Sequence, residues 1–302
     1  MAPASAPARL RAIGAAIHSW GSAAGGHTRR DDLPWRNTRD PWAVLVSEVM
    51  AQQTHLSRVV PAYRRFLESF PTPAACAAAP LGDVLRAWEG MGYNRRARNL
   101  QRAAAAVVCD HNGTVPDDLD DLLALPGVGP YTARAVLAFA FERDVGVVDT
   151  NAGRILARAV GGRRLTPSVA QATVDAMVPR GQGWSFGQAL LDLGASVCTA
   201  RTPDCQGCPL RRRCLWAIDG WPDPDPARGS AGVSATQSRF VGSDRQGRGR
   251  LISALRSGPV ANSDIANVAG WPDDQARTDT VVAGLVVDGL VVQTVSGDLH
   301  LP

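Results

Sequence analysis

The chain has 302 residues, is 45% hydrophobic and carries a formal net charge of only +4. This predicts two or three domains with sizeable cores, and any nucleic-acid binding must come from local patches of charge. All 32 basic residues are arginine, which excludes covalent catalysis through a lysine Schiff base. No apolar run has membrane-spanning length, and residues 1–10 lack a signal-peptide pattern, so we expect a cytoplasmic protein without a membrane partner.

Helical periodicity dominates the first 218 residues, and strand signal is nearly missing before residue 285. The predicted helices cover residues 12–20, 41–54, 57–70, 80–88, 95–109, 119–124, 131–141, 151–160, 168–178 and 186–197. The predicted fold class is therefore all-α, with short loops punctuated by Pro and Gly.

The C-terminal part changes character. Residues 219–247 are rich in Pro, Gly, Ser, Asp and Arg, which is typical of a linker. Residues 248–302 predict three helices and a terminal hairpin, the pattern of a small winged-helix module. Residues 259–302 hold six Asp and one Arg, a net charge of −5. Because DNA-reading modules are normally basic, we expect this module to serve packing or protein contact.

Five arginines precede the acidic stretch. They either follow a phosphate backbone or belong to a solvated linker, and the sequence does not distinguish these interpretations. They are Arg239, Arg245, Arg248, Arg250 and Arg256.

Four cysteines form a compact cluster with the spacing Cys-x6-Cys-x2-Cys-x5-Cys, at Cys198, Cys205, Cys208 and Cys214. Four thiolates repel one another unless a cation neutralises them. A structural zinc ribbon usually has two Cys-x2-Cys pairs, and only one is present. The spacing therefore favours a [4Fe–4S] cluster over zinc. We expect the remaining two, Cys76 and Cys109, to be buried without a role.

Two further motifs lie between helices. Gly127, Val128 and Gly129 form a tight turn that exposes backbone N–H groups at the start of a helix, which is suited to holding a DNA phosphate. About 20 residues later, Asp149 follows an apolar run and precedes a helix. Taken alone, Asp149 would most simply be an N-cap.

The turn, the aspartate and the cysteine cluster, in this order, resemble the helix–hairpin–helix DNA glycosylase superfamily. Within it, residues 10–218 are most similar to adenine DNA glycosylases of the MutY type. The motifs that carry the resemblance are Leu33-Pro34-Trp35-Arg36, Ser47-Glu48-Val49-Met50-Ala51-Gln52-Gln53-Thr54, Trp88-Glu89-Gly90-Met91-Gly92-Tyr93 and Ala97-Arg98-Asn99-Leu100.

The resemblance implies a domain plan. A six-helix barrel with the helix–hairpin–helix covers residues 34–142, and an iron–sulfur domain combines residues 8–33 and 143–218. The linker (219–247) and the winged-helix-like module (248–302) follow. A Nudix-like C-terminal domain, which many relatives use to recognise 8-oxoguanine, is not recognisable.

The resemblance also assigns roles. Glu48, in apolar surroundings that raise a carboxyl pKa, would protonate the departing adenine. Asp149 would stabilise the oxocarbenium-like sugar, and Asn151 would hold Asp149 ionised or support the helix start. Tyr131 occupies the position of the lysine in lyase-competent relatives and cannot form an imine. Without the motifs, Glu48 would be an ordinary helix glutamate.

The remaining predicted site residues concern DNA. Trp35 and Arg36 would line the adenine pocket. Gln53 and Tyr93 would enter the base stack, because base flipping needs side chains that replace lost stacking. Thr54 and Met91 would lie near the opposite base. Core packing is the alternative for Trp35 and Tyr93, and an exposed face for Gln53. Three positions depart from the family pattern, namely Ala51, Asn94 and Thr150.

These observations predict a monomeric, nucleoid-associated, monofunctional glycosylase that excises adenine opposite 8-oxoguanine or guanine in double-stranded DNA. The alternatives are a thymine-mismatch (T:G) glycosylase and a non-catalytic iron–sulfur DNA-binding protein. The presence of both Glu48 and Asp149 argues against the second alternative.

Overall fold

A computed structural model describes residues 6–23, 32–233 and 239–302, and these residues are mostly helical, as predicted. The helices are α1 (Ala6–Ser22), α2 (Pro41–Ala51), α3 (Leu56–Ser69), α4 (Pro73–Ala78), α5 (Leu81–Ala87), α6 (Arg95–Asp110), α7 (Leu119–Ala124), α8 (Pro130–Phe139), α9 (Thr150–Ile155), α10 (Pro167–Asp175), α11 (Gly183–Ser196), α12 (Leu215–Ile218), α13 (Asp244–Ser257), α14 (Ile265–Ala269) and α15 (Gln275–Val287). Among the described residues, no helix combines the length and apolar character needed to cross a membrane.

Several helices begin where the sequence places a proline. Pro41, Pro73, Pro130 and Pro167 each stand at the first position of a helix, where the missing N–H removes no intrahelical bond. Upstream of Pro73, the hydroxyl of Thr72 accepts a hydrogen bond from the Ala75 N–H. These local signals explain why the predicted starts of α2, α8 and α10 lie close to the observed ones, whereas α4 was not predicted.

The chain divides into two compact units. Unit 1 comprises residues 1–44, 117–119 and 129–236, and unit 2 comprises residues 45–116, 120–128 and 237–302. The domain plan implied by the family resemblance stays a prediction.

Unit 1 is built around the pair α1 and α11. These helices approach closely because Gly21 faces α11, where an added Cβ would lie 2.4 Å from the Cβ of Ala189. The core contains the fully buried side chains Ile13, Ile17, Phe186 and Leu190. This apolar core supports α9 and the π-helical stretch Leu156–Gly161, which carry functional residues.

Unit 2 has an aromatic core. Phe66 packs edge-on against Trp88, with ring centroids 5.9 Å apart, and the Trp88 indole N–H donates to the Gly92 carbonyl at 3.0 Å. The buried side chains of Leu85 and Leu100 complete this centre. Because the Trp88 ring is fixed by both packing and a hydrogen bond, it anchors the segment that follows it, residues 89–94.

The C-terminal module belongs to unit 2 and has the predicted three helices and hairpin. Strands β1 (Val292–Gln293) and β2 (Leu299–His300) pair antiparallel, and Val260 bridges to Leu299 as a third strand position. The module is anchored to α5, since the Arg256 Nε donates to the Leu85 carbonyl at 2.9 Å and the Gly82 N–H donates to the Pro302 carbonyl at 2.8 Å.

Part of the predicted linker is folded. Helix α13 begins at Asp244, four residues before the predicted helix. Further upstream, Ala227, Ser230 and Ala231 are buried, and the Ala231 N–H donates to the Leu165 carbonyl at 3.0 Å. We call residues 225–232 the strap. It packs through small side chains and backbone hydrogen bonds, which leave no hydrophobic signal in the sequence.

The two isolated cysteines differ. Cys76 is fully buried, and burial raises its pKa to about 12, so it stays an unreactive thiol. Cys109 is exposed near the end of α6, and the expectation that it is buried is wrong. The last turn of α6 is exposed at residues 108–110, so the apolar run there does not reach the core.

Candidate active site and cysteine cluster

Asp149 stands immediately before α9 and is half-buried. Its Oδ1 accepts a hydrogen bond from the Ala152 N–H at 2.7 Å, and its Oδ2 accepts one from the Asn151 Nδ2 at 3.0 Å. Burial raises the pKa of the carboxyl, while these two donors and the positive charge of Arg154 oppose the rise. Asp149 is thus both an N-cap and a carboxylate held in a fixed orientation.

The start of α9 is enclosed by glycines. An added Cβ on Gly153 would lie 2.0 Å from the Ala231 carbonyl oxygen, and one on Gly194 would lie 2.5 Å from the Cβ of Asn151. The strap also receives a hydrogen bond from the Thr150 hydroxyl to the Gly232 carbonyl, at 2.9 Å. The departure from the family pattern at Thr150 therefore has a structural consequence, because this side chain ties the helix start to the strap.

Arg154 holds the same helix from the other end. Its Nη2 donates to the Asn151 Oδ1 at 2.9 Å and to the Gly194 carbonyl at 2.6 Å, and its Nε donates to the Cys198 carbonyl at 2.5 Å. The same guanidinium therefore contacts the residue that orients Asp149 and the first cysteine of the cluster. No motif in the sequence indicates that Arg154 is a site residue.

Glu48 and Tyr131 are two further residues that the sequence predicts to be catalytic. Glu48 lies on α2 in unit 2 and is only 7% exposed, between the buried Ser47 and Val49. Tyr131 is half-buried in the first turn of α8 in unit 1. The sequence neighbours of Glu48 at Val46, Val49 and Met50 are buried as well.

The predicted phosphate-binding segment forms a tight turn. Gly127 adopts a φ of +80°, and an added Cβ there would meet the Asn99 side chain at 2.7 Å. The Val128 N–H closes the turn on the Leu125 carbonyl at 3.1 Å. Gly129 is extended and precedes Pro130 at the first position of α8.

Two of the residues expected to enter the DNA stack have left-handed backbone. Gln53 has a φ of +52° and Tyr93 a φ of +46°, and both side chains are exposed. Non-glycine residues in this conformation are uncommon and concentrate at functional sites. Because Gln53 and Tyr93 are predicted to enter the DNA stack, we call residues 51–54 and 90–93 the two DNA-facing turns. Thr54 and Met91 lie in the same turns, half-buried and buried respectively.

Arg96 joins these two turns and was missed by the sequence analysis. Its Nη1 donates to the carbonyls of Val49, Met50 and Gln52 at 2.9, 2.9 and 2.6 Å. Its Nη2 donates to the Thr54 hydroxyl at 2.9 Å and to the Met91 carbonyl at 3.2 Å. Burial lowers the Arg96 pKa to about 10. Its partners are mostly backbone carbonyls, which no sequence motif records.

Trp35 and Arg36 belong to the short 3₁₀ helix Pro34–Asn37 in unit 1. Arg36 is buried and forms two hydrogen bonds with Asp192, from Nη1 to Oδ2 at 2.8 Å and from Nη2 to Oδ1 at 2.6 Å. Trp35 is half-buried. The guanidinium of Arg36 thus faces a carboxylate on α11, a pairing that the sequence analysis did not predict.

The four clustered cysteines line one cavity in unit 1, together with Leu193, Leu210 and Trp216. All four are half-buried. Burial raises the pKa of Cys208 to about 11, and the neighbouring thiols contribute to the rise. Across the described part of the chain, no three His, Cys, Asp or Glu side chains are grouped tightly enough to hold a single metal ion.

Arg158 supplies positive charge to this cavity. Its Nη1 lies 3.6 Å from the Cys198 Sγ, its Nη2 pairs with Asp225 of the strap at 2.5 Å, and its guanidinium stacks 4.7 Å from the Trp216 ring centroid. The donor set of four thiols beside a fixed guanidinium suits an anionic metal–thiolate group.

The chain is similar to known DNA repair proteins. A family model described as HhH-GPD superfamily base excision DNA repair protein matches residues 46–180. An adenine DNA glycosylase of Mycobacterium tuberculosis is 47% identical over 281 residues, covering 90% of this chain and 89% of the relative. That of Mycolicibacterium smegmatis is 43% identical over 281 residues, with 91% and 92% coverage. The solved structure of a thermostable thymine-DNA glycosylase has a TM-score of 0.63 at 27% identity, covering 70% of this chain and 97% of that one.

The helical fold and the helix–hairpin–helix turn define a base excision DNA repair protein of the HhH-GPD superfamily. The mycobacterial relatives match 90% and 91% of this chain, well beyond the residues that the family model covers. Within that superfamily, the chain belongs to the adenine DNA glycosylase family.

Proposed function

We propose that this chain is a monofunctional DNA glycosylase that excises adenine opposite 8-oxoguanine or guanine in double-stranded DNA, leaving an intact abasic site. The observation that carries the proposal is the Asp149 carboxyl, which the Ala152 N–H and the Asn151 amide hold in one orientation. A fixed carboxylate of this kind stabilises positive charge that develops on a sugar.

The reaction assigns one role to each carboxyl. Glu48, as the acid, protonates N7 of adenine, and the bond between C1′ and N9 breaks with both electrons leaving on the base. Asp149, as the ionised carboxylate, stabilises the oxocarbenium-like sugar. Water then adds its hydroxyl to C1′ and returns a proton to a carboxylate. Tyr131 shapes the pocket without forming an imine, and the chain has no lysine to take that role.

The other predicted roles are part of this proposal. Gln53 and Tyr93 enter the base stack from the DNA-facing turns, Thr54 and Met91 lie near the opposite base, and Trp35 lines the adenine pocket. Since Arg36 faces Asp192, it orients that pocket through the 3₁₀ helix. Gly127, Val128 and Gly129 hold a phosphate. The protein acts as a monomer on DNA in the nucleoid.

We also propose that Cys198, Cys205, Cys208 and Cys214 hold a [4Fe–4S] cluster. Support comes from their shared cavity and from Arg158 beside Cys198. Such a group, when bound, crosslinks the cysteine loop and fixes its arginines. Anaerobically prepared protein should contain about four irons per chain, and stoichiometric zinc without iron would contradict the assignment.

Substitutions of the two carboxyls test the chemistry. Asp149→Asn and Glu48→Gln should each slow single-turnover excision from an A:8-oxoguanine duplex by about 10²–10⁴-fold while retaining DNA binding. Wild-type rates in Glu48→Gln would refute its role as the acid. A:8-oxoguanine, A:G and T:G duplexes, each followed by alkali cleavage, separate adenine from thymine specificity.

A further inference from the structure

Unit 2 contains a wide groove that the proposed chemistry does not use. It has a volume of about 630 Å³ and lies between the DNA-facing turns and the first half of α13. One wall carries Gln53, Tyr93 and Arg95, and the other carries Phe240, Arg245 and Arg248. A groove of this size accommodates a nucleotide-sized group.

The groove is positively charged on both walls. Its lining includes five arginines, and none of the described lining residues is Asp or Glu. Asp288 stands nearby and pairs with Arg248 and, at 3.4 Å, with Arg95. One carboxylate therefore faces two guanidinium groups, which leaves a positive excess.

The acidic character of the module lies elsewhere. Five of the six Asp in residues 259–302 do not line the groove or pair with its arginines, namely Asp264, Asp273, Asp274, Asp279 and Asp298. The net charge of −5 describes residues 259–302 and does not include α13, which carries Arg245 and Arg248. An expectation based on net charge alone overlooks this helix.

Exposed aromatic rings accompany the arginines. Phe240 is 54% exposed and Tyr93 is 42% exposed, and the Arg245 Nη1 donates to the Tyr93 hydroxyl at 3.2 Å. Arginines that contact phosphates together with aromatic rings that stack on bases form the usual recognition pattern for unstacked nucleotides. Neither feature alone would identify the ligand, but a basic groove with two exposed rings matches a DNA strand.

We infer that this groove binds the DNA strand that carries the base opposite the excised adenine, with Phe240 stacking on a base and Arg245 contacting a phosphate. The inference rests on the proposed function, because Gln53 and Tyr93 are assigned there to the stack beside that base. A strand leaving these turns continues along the groove to α13. Helix α13 and the residues just before it are therefore a DNA-binding element of the enzyme.

Point variants test the groove in the full-length protein. The probe is a duplex with 8-oxoguanine opposite 2′-fluoro-2′-deoxyadenosine, which is bound without being cleaved. Phe240→Ala should weaken binding about 5- to 150-fold, as expected for loss of one base–aromatic stack, without changing the salt dependence. Arg245→Ala should reduce the slope of log affinity against log salt by about 1, and Arg245→Lys should restore that slope.

Arg250→Ala is the matched control, because Arg250 lies on the same helix, carries the same charge and is exposed but does not line the groove. It should bind like wild type. Phosphate ethylation interference should lose signals on the 8-oxoguanine strand in Arg245→Ala. Wild-type binding by Phe240→Ala and Arg245→Ala, or loss of signals on the adenine strand instead, would overturn the inference.

The binding test of the groove does not depend on whether the protein excises adenine. If the wild-type protein binds the probe but removes no adenine from the natural duplex, the proposed function fails, while weakened binding by Phe240→Ala still supports the groove. If the enzyme excises adenine normally and both groove variants bind as wild type, the proposed function stands and the groove assignment falls.

Discussion

Replacement of Arg96 should uncouple the two DNA-facing turns. Arg96→Met keeps an apolar stem of similar length but removes all six hydrogen bonds of the guanidinium. Five go to the carbonyls of Val49, Met50, Gln52, Met91 and Gly92, and one goes to the Thr54 hydroxyl. We expect weaker recognition of mispaired DNA and a less stable unit 2.

The expected loss in the free energy of unfolding follows from the number of hydrogen bonds that are removed. Hydrogen bonds that involve a charged group are each worth about 1.5–3 kcal/mol net. Six bonds shared by two nitrogen atoms do not add fully, and some of the carbonyls gain water after the substitution. We therefore count two full bonds, one per turn, and expect a loss of about 3–6 kcal/mol, a large fraction of the stability of a typical domain.

The assay combines urea unfolding with probe binding for Arg96→Met, Arg96→Lys and Arg102→Met. A lysine keeps the charge but has a single nitrogen, so Arg96→Lys should lose mispair affinity with a smaller loss of stability. Arg102 lies on the same helix and is exposed, so Arg102→Met should resemble wild type. If Arg96→Met has wild-type unfolding and wild-type mispair affinity, the coupling of the turns through Arg96 is refuted.

Three other outcomes follow from the geometry of unit 1 and the composition of the chain. The Asn151 amide lowers the pKa of Asp149, so Asn151→Ala should raise that pKa further. As pH falls, single-turnover excision by the variant should then decline at a higher pH than excision by the wild type. An unchanged acid limb of the pH–rate profile would contradict this. Gly232→Ala should slow excision while DNA binding is kept, because the new Cβ would lie 2.4 Å from the Asp149 carbonyl oxygen. Gly229→Ala controls for strain, since Gly229 also has a left-handed backbone but only ordinary contacts, the nearest at 3.4 Å. Finally, borohydride should trap no lysine adduct and the product strand should stay intact until alkali is added, so efficient cleavage by nuclease-free protein would argue against a monofunctional enzyme.

The sequence was most informative where function depends on the spacing of reactive side chains. The interval between the four cysteines predicted one shared cavity, and a carboxylate before a helix predicted the orientation of Asp149 by backbone and side-chain donors. Helices were recognisable because amphipathic periodicity and initial prolines are local signals. The hairpin after α15 was recognisable from another local signal, the turn Ser296-Gly297-Asp298 between two apolar runs.

The missed features depend on contacts between distant backbone segments. Arg96 binds carbonyls more than 40 residues away, and carbonyls are identical in every sequence. The strap was interpreted as a linker because Gly, Ser and Ala residues pack without a hydrophobic pattern. Arg245 and Arg248 were noted in the sequence, but only the structure shows that they line one groove with Tyr93 and Phe240.

The contrast between Cys76 and Cys109 has a practical use. With Cys76 buried and its pKa raised to about 12, and with the clustered cysteines occupied as proposed, a maleimide dye should attach selectively at Cys109. That thiol is carried by α6, the helix that bears Arg96 near its other end. One fluorophore on the native protein would thus report when the helix that organises the DNA-facing turns responds to a bound duplex, without any introduced cysteine.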